Sequence, residues 1–169
     1  MHAAVAYLAS RGRPDQERLC EEVFAEVDRR SLELFAEIVK PIAGTYPLFE
    51  GLLAAGCKIA IATTDLSGRA ALAMEHLGLT DKIDYIAGAD MVSRSKPHPE
   101  IIELILRELA VAPENAVMVG DAVTDVAMGV NAGLKAAIAV LSGISRAAEL
   151  RQITPILADS VADIEVMGD

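Results

Sequence analysis

From Pro47 onward, short apolar runs alternate with segments of helical periodicity, and this alternation leaves few folds open. Lys58-Ile-Ala-Ile-Ala-Thr-Thr64 is a nearly unbroken apolar run, as a strand covered on both faces requires. Tyr85–Ala87, Ala116–Val119, Ala136–Leu141 and Pro155–Ala158 read as further short strands. Helices fill the intervals. Pro47 opens one that Gly56 closes, and Ser67 can cap a second that ends at Gly78. Pro97–Ala110 is a strong third helix, a short fourth ends at Gly133, and a fifth lies near Arg146–Gln152. Strands and helices at this spacing predict an α/β chain with a doubly wound parallel sheet. Residues 1–45 read instead as all-helical: Leu19, Val23 and Val27, then Leu34 and Ile38, step at helical spacing until Pro41 stops the run. Two segments follow, a helical one over residues 1–45 and an α/β core over residues 46–169.

Composition narrows the classes. Hydrophobic residues make up 53% and mean hydropathy is +0.36, both high for a small monomer, which predicts apolar surface covered by a partner. No membrane span explains it: the longest stretch without Asp, Glu, Lys or Arg, Ala136–Ser145, falls well short of the roughly 20 residues needed. Met1–Ser10 has no basic start and reads as helix, not signal peptide. Cys20 and Cys57 lack metal or redox spacing and read as buried, reduced thiols of a cytoplasmic protein. A formal charge of -10 with no basic stripe argues against nucleic acid as a partner. A small anion remains admissible, because it responds to the local field of a metal or a lysine.

Ligands of open parallel sheets bind beyond the carboxyl ends of the strands, and three polar features fall there. In Gly120-Asp-Ala-Val-Thr-Asp125, two carboxylates one helical turn apart can flank Mg²⁺; equally, Asp121 can be a helix N-cap and Asp125 a first-turn acid. In Ser95-Lys-Pro-His-Pro99, two prolines stiffen a turn and hold Lys96 in one direction, so that its ammonium can neutralise a phosphoryl group; the alternative is a solvated lysine before a helix. His98 reads as a loop histidine. Thr63-Thr64-Asp65 can form an anion cradle or a simple turn.

Taken together, Ile59–Thr63, Lys96-Pro-His-Pro99 and Val119-Gly-Asp-Ala-Val-Thr-Asp125 resemble, in order and spacing, the motifs of the haloacid dehalogenase superfamily of phosphatases. Tyr46-Pro47, Asn131-Ala-Gly133 and the region from Ala158 to Glu165 are similar too, so the likeness covers about residues 42–165. The helical start is similar to the back half of the cap that the phosphoglycolate-phosphatase-like branch places over its active site. The resemblance implies a Rossmann-like fold and Mg²⁺-dependent hydrolysis of small phosphorylated metabolites. It implies that Thr63 hydrogen-bonds the phosphoryl oxygens, that Lys96 balances their charge, that Asp121 binds the metal and that Asp125 supports it.

One departure stands out. The family carries its nucleophile in an Asp-x-Asp segment after its first strand, and no two of the eleven Asp residues here are separated by one residue. The expectation is an N-terminally truncated member, lacking the first strand and half of the cap. Three readings stay open: a phosphatase working by another route, a non-catalytic binding or regulatory remnant, or a site completed by a second chain. In the family the missing strand lies between the one ending at Thr63 and the one ending at Asp121. Its loss predicts either closure of those two edges or a homodimer in which the N-terminal helices pack on the other copy.

Overall fold

The computed structural model describes residues 38–167 continuously and, before them, Arg18, Leu19, Glu22, Val23, Glu26 and Arg30. The chain divides into two units, Met1–Lys40 and Pro41–Asp169. In the first, the six described residues before residue 38 are helical, with Arg18–Glu22 (3.5 Å) and Arg30–Glu26 (2.7 Å) paired one turn apart. The remainder of the expected cap segment, and the dimer contact expected of it, lie outside the described residues.

The second unit runs α1 (Thr45–Ala54), β1 (Ala60–Ala62), α2 (Ser67–His76), β2 (Tyr85–Ala87), α3 (Glu100–Leu109), β3 (Val117–Gly120), α4 (Val123–Asn131), β4 (Ala136–Val140), α5 (Ala147–Leu150) and β5 (Leu157–Ala158). Glycine brackets α1 for steric reasons. Gly44 takes φ +89 where a Cβ would fall 2.5 Å from Ala162, and Gly56 follows the helix at φ +70. The Cys57 N–H then returns to the Leu52 carbonyl at 2.9 Å. That turn leaves the Cys57 thiol exposed, which corrects its expected burial; Cys20 lies outside the described residues.

Two helix starts differ from the sequence expectation. Ser67 is the first residue of α2 and does not cap it; Asp90 does so from across the chain, accepting from the Ser67 N–H and hydroxyl, both at 2.7 Å. The Ser67 N–H, and then its hydroxyl, hold the Asp90 carboxyl below its usual range. α3 begins at Glu100, not Pro97, because Ser95–His98 forms a turn closed by His98 N–H to Ser95 O (3.0 Å), with a cis Lys96–Pro97 bond. The His98 ring accepts the Glu100 N–H through Nδ1 at 3.2 Å, so its role is in the turn.

All strand pairings are parallel, in two sheets of order β1-β2 and β3-β4-β5. The neighbouring edges of β1 and β3 do not pair with each other, so edge closure is not what the structure shows. Closure is required only of edges in a dry interior. Val117 and Val119 are 49% and 37% exposed, so water reaches β3 and its backbone groups need no protein partner. Beneath the sheets, Ile101, Ile102 and Ile105 of α3 pack on Ala87 and Met128, each burying on the order of 1.5–3 kcal/mol of apolar side chain. A second cluster, Val126, Ala137, Ala139 and Leu150, fills the space between α4, β4 and α5. Met118 touches both clusters, and Gly129 lets α4 approach it, since a Cβ there would lie 2.6 Å from the Met118 Cβ. Among the described residues no helix is long and apolar enough to cross a membrane.

Candidate active site

Lys96 bridges the carboxyl ends of β1 and β3 and shares a cavity wall with Thr63. Its Nζ donates to Ala62 O at 2.8 Å and to Asp125 Oδ1 at 2.9 Å. The two side chains are only 9% and 15% exposed, so this is a largely desolvated, hydrogen-bonded ion pair. Lys96 therefore ties the end of one sheet to the first turn of the helix that leaves the other. Its loop is pinned independently, because Asn131 Nδ2 donates to Pro97 O at 3.0 Å.

Asp125 is the third residue of α4, and its Oδ2 accepts the Ala122 N–H at 3.3 Å. It is thus a first-turn acid and the partner of Lys96 at once, with both oxygens engaged. Gly120 makes this possible, since a Cβ there would sit 2.5 Å from the Asp125 Cβ. Asp121 is not the helix N-cap; Ala122 takes that place. Instead Asp121 is held by the loop after β4: its Oδ2 accepts the Ile144 N–H at 3.0 Å, and its carbonyl accepts the Ser145 N–H at 3.3 Å. Ser145 Oγ in turn accepts the Val123 N–H at 3.0 Å. Gly143 is obligatory in this cradle, because a Cβ there would fall 2.0 Å from Asp121 Oδ2.

Thr63 directly follows β1, donating its N–H to Ala87 O at 3.0 Å. Its Oγ1 accepts the Asp65 N–H at 3.0 Å, which leaves the hydroxyl proton to donate elsewhere. Thr63, Thr64, Ser93, Arg94, Ser95 and Lys96 line one half-open cavity of about 140 Å³; Asp121 is not on its wall. The Ser93–Arg94 edge of that cavity is clipped to α3. Glu100 accepts the Ser93 N–H (2.9 Å) and hydroxyl (3.0 Å), the Arg94 N–H (2.9 Å) and Arg94 Nε (3.3 Å). The Ser93 N–H, backed by the Ser93 hydroxyl and Arg94, pulls the Glu100 carboxyl down to about 2.

Sequence reasoning missed the Ser142–Ser145 cradle, the Asn131 pin and the Glu100 clip. A Ser-Gly-x-Ser run just past a strand end was the one available signal, since small residues there permit close backbone approach. As a metal site, the donor set fits a hard cation in one way only. Asp125 is committed; among the described residues no group of three or more His, Cys, Asp or Glu could hold an ion, and none bonds the second oxygen of Asp121. A single carboxylate suits Mg²⁺, which completes its shell with water and substrate phosphate.

Comparison with known proteins identifies the family. The chain is 34% identical over 126 residues to the pyrophosphatase PpaX of Halalkalibacterium halodurans, covering 75% of this chain and 58% of that protein. It is 37% identical over 100 residues to the phosphoglycolate phosphatase of Rhodospirillum rubrum, covering 56% of this chain and 42% of that one. CbbY of Rhodobacter sphaeroides, solved in complex with phosphate, superposes with a TM-score of 0.67 at 31% identity, over 82% of this chain and 64% of CbbY. The chain thus spans about two fifths to two thirds of the length of these relatives. The sequence profile of the haloacid dehalogenase-like hydrolases matches residues 2–139, most of the chain including Thr63, Lys96, Asp121 and Asp125, and the protein belongs to that family.

Proposed function

We propose that this chain acts as a phosphatase on small phosphorylated metabolites, holding the phosphoryl group between Thr63 and Lys96 with Mg²⁺ at Asp121. The observation that carries this reading is the bonding of Lys96. An ammonium has three donors, and two are fixed on Ala62 O and Asp125 Oδ1. The third is left for a ligand beside the Thr63 hydroxyl on the same cavity wall. A phosphoryl oxygen there would accept from both, and its negative charge would complete the neutralisation that Asp125 begins. As water adds to phosphorus and the ester oxygen leaves with a proton, Lys96 and Thr63 hold the charge on the non-bridging oxygens. Mg²⁺, when bound, would supply further charge neutralisation at the phosphoryl oxygens. The names of the relatives, a pyrophosphatase and a phosphoglycolate phosphatase, support the substrate class.

A second reading is a phosphate-binding protein without turnover. It is favoured by one observation: no two Asp residues of the sequence stand in the Asp-x-Asp spacing of the family's nucleophile. Hydrolysis of p-nitrophenyl phosphate with and without Mg²⁺, by wild type and Asp121→Asn, separates the two. Magnesium-dependent turnover lost in the variant is the expected result. Phosphate binding by a folded wild type that never turns over would establish the second reading instead.

A further inference from the structure

The half-open cavity is larger than a phosphoryl group requires, and the wall beyond Lys96 is built for a second anion. A cavity of about 150 Å³ admits a molecule the size of benzene, and this one measures about 140 Å³. Arg94 and Lys96, two positions apart in the bend and turn before α3, both line it, with the hydroxyl-bearing Ser93 and Ser95 beside them. In a chain of net charge -10 this is a local concentration of cationic donors.

Arg94 is also preoriented. Among the described residues only its Nε is engaged, on Glu100 Oε2 at 3.3 Å, and none of them bonds the two terminal nitrogens. Glu100 cannot neutralise the guanidinium fully, because the same carboxylate is shared with the Ser93 N–H and hydroxyl and the Arg94 N–H. The result is a fork clamped at its base with its tines free, the arrangement suited to a carboxylate or phosphate.

We infer that Arg94 is a specificity residue: with Ser93 and Ser95 it receives a second anionic group, carboxylate or phosphate, on the leaving-group side of the substrate. The inference rests on the reading of Thr63 and Lys96 as the phosphoryl site. Preferred substrates are then short, doubly anionic phosphoesters or phosphoanhydrides, in which one or two atoms separate the phosphoryl group from the second anion.

Non-hydrolysable probes test this whether or not the chain turns over. Calorimetric titration of the full chain in Mg²⁺ compares ethylphosphonate, which carries one anionic group, with phosphonoacetate and methylenediphosphonate, which add a carboxylate or a phosphonate. Wild type is expected to bind one or both doubly anionic probes about tenfold more tightly than ethylphosphonate, a difference of about 1.4 kcal/mol. Whichever is favoured identifies the second group. Arg94→Met should erase the preference and leave ethylphosphonate binding unchanged, and Arg94→Lys should keep only part of it. Arg94 is 63% exposed, so neither substitution threatens the fold. Equal binding of all three probes to wild type, or an equal loss for all three in Arg94→Met, overturns the inference while leaving the phosphoryl site intact. Failure of wild type to bind any probe at millimolar concentration overturns the phosphoryl-site reading itself.

Discussion

The β1–β2 sheet and the β3–β4–β5 sheet meet the same problem, an unpaired edge toward the other, with different resources. In the three-stranded sheet, Ala137, Ala139 and Val140 of β4 are buried, β5 covers its far edge, and Thr154 is locked beneath it by a 2.7 Å bond to Ala137 O. The two-stranded sheet has three-residue strands, and β1 is only half-buried along its length. What it lacks in ladder it gains in side-chain ties: Asp84 Oδ2 takes the Ile59 N–H at 2.7 Å, Lys58 reaches Leu109 O at 2.8 Å, and Lys96 holds Ala62 O. The sheets are thus joined by no backbone ladder. Apolar links, Met118 and Met128, lie within the packing, and a polar link, Lys96–Asp125, lies at the carboxyl ends. The residue proposed to receive phosphate is therefore also a structural joint.

That comparison can be broken at either link. Lys96→Met should have the largest effect: it leaves the Asp125 carboxylate largely buried and unpaired, costing about 3–5 kcal/mol in chemical denaturation, and abolishes inorganic phosphate binding. If stability is unchanged while phosphate binding is lost, the polar link is a ligand site and not a joint. Met118→Ala should cost less, about 2–3 kcal/mol, because Met118 is only partly buried. Its phosphate affinity should stay within about twofold of wild type, and a larger loss would mean that the site depends on the spacing of the sheets.

The smallest expected effect concerns pH. The Glu100 carboxyl is held at about 2 against an ordinary 4.5, so its folded value is depressed. The stability it contributes is fully present above pH 4.5 and is lost as pH falls toward 2. Glu100→Gln should flatten the part of the acid-unfolding curve that lies in that window. Superimposable wild-type and variant curves would show that the clip does not restrain the Ser93–Arg94 edge.

Elements whose apolar content decides their place were legible in the sequence: β2 is Tyr85–Ala87 as read, and β4 ends one residue short of Leu141. Where side chains from distant positions intervene, the reading drifted. β1 shrinks to Ala60–Ala62 because the Asp84 carboxylate takes the Ile59 N–H and the Thr63 hydroxyl begins a turn. Pro97 looks like a helix opener, yet it belongs to the turn that aims Lys96. For Asp125, residue type and spacing allowed a metal ligand or a first-turn acid; only the arrival of Lys96 from another loop shows both its oxygens to be engaged. The cradle around Asp121 was missed for the same reason: its donors are backbone N–H groups, hinted at only by the small residues of Ser142–Ser145.

The long-range cap on α2 has a consequence for the order in which the chain folds. Its ten residues include Gly68 and offer no side-chain cap of their own. Asp90 comes from 23 residues downstream, past β2. Ten residues are too few to persist as an isolated helix in water. α2 therefore gains its full N-terminal support only when β2 has docked on β1 and the Ala89–Met91 turn has swung Asp90 into place, closing a loop whose entropy must be met first. Hydrogen exchange at the α2 amides should therefore report the assembly of the β1–β2 sheet and not the propensity of the helix itself.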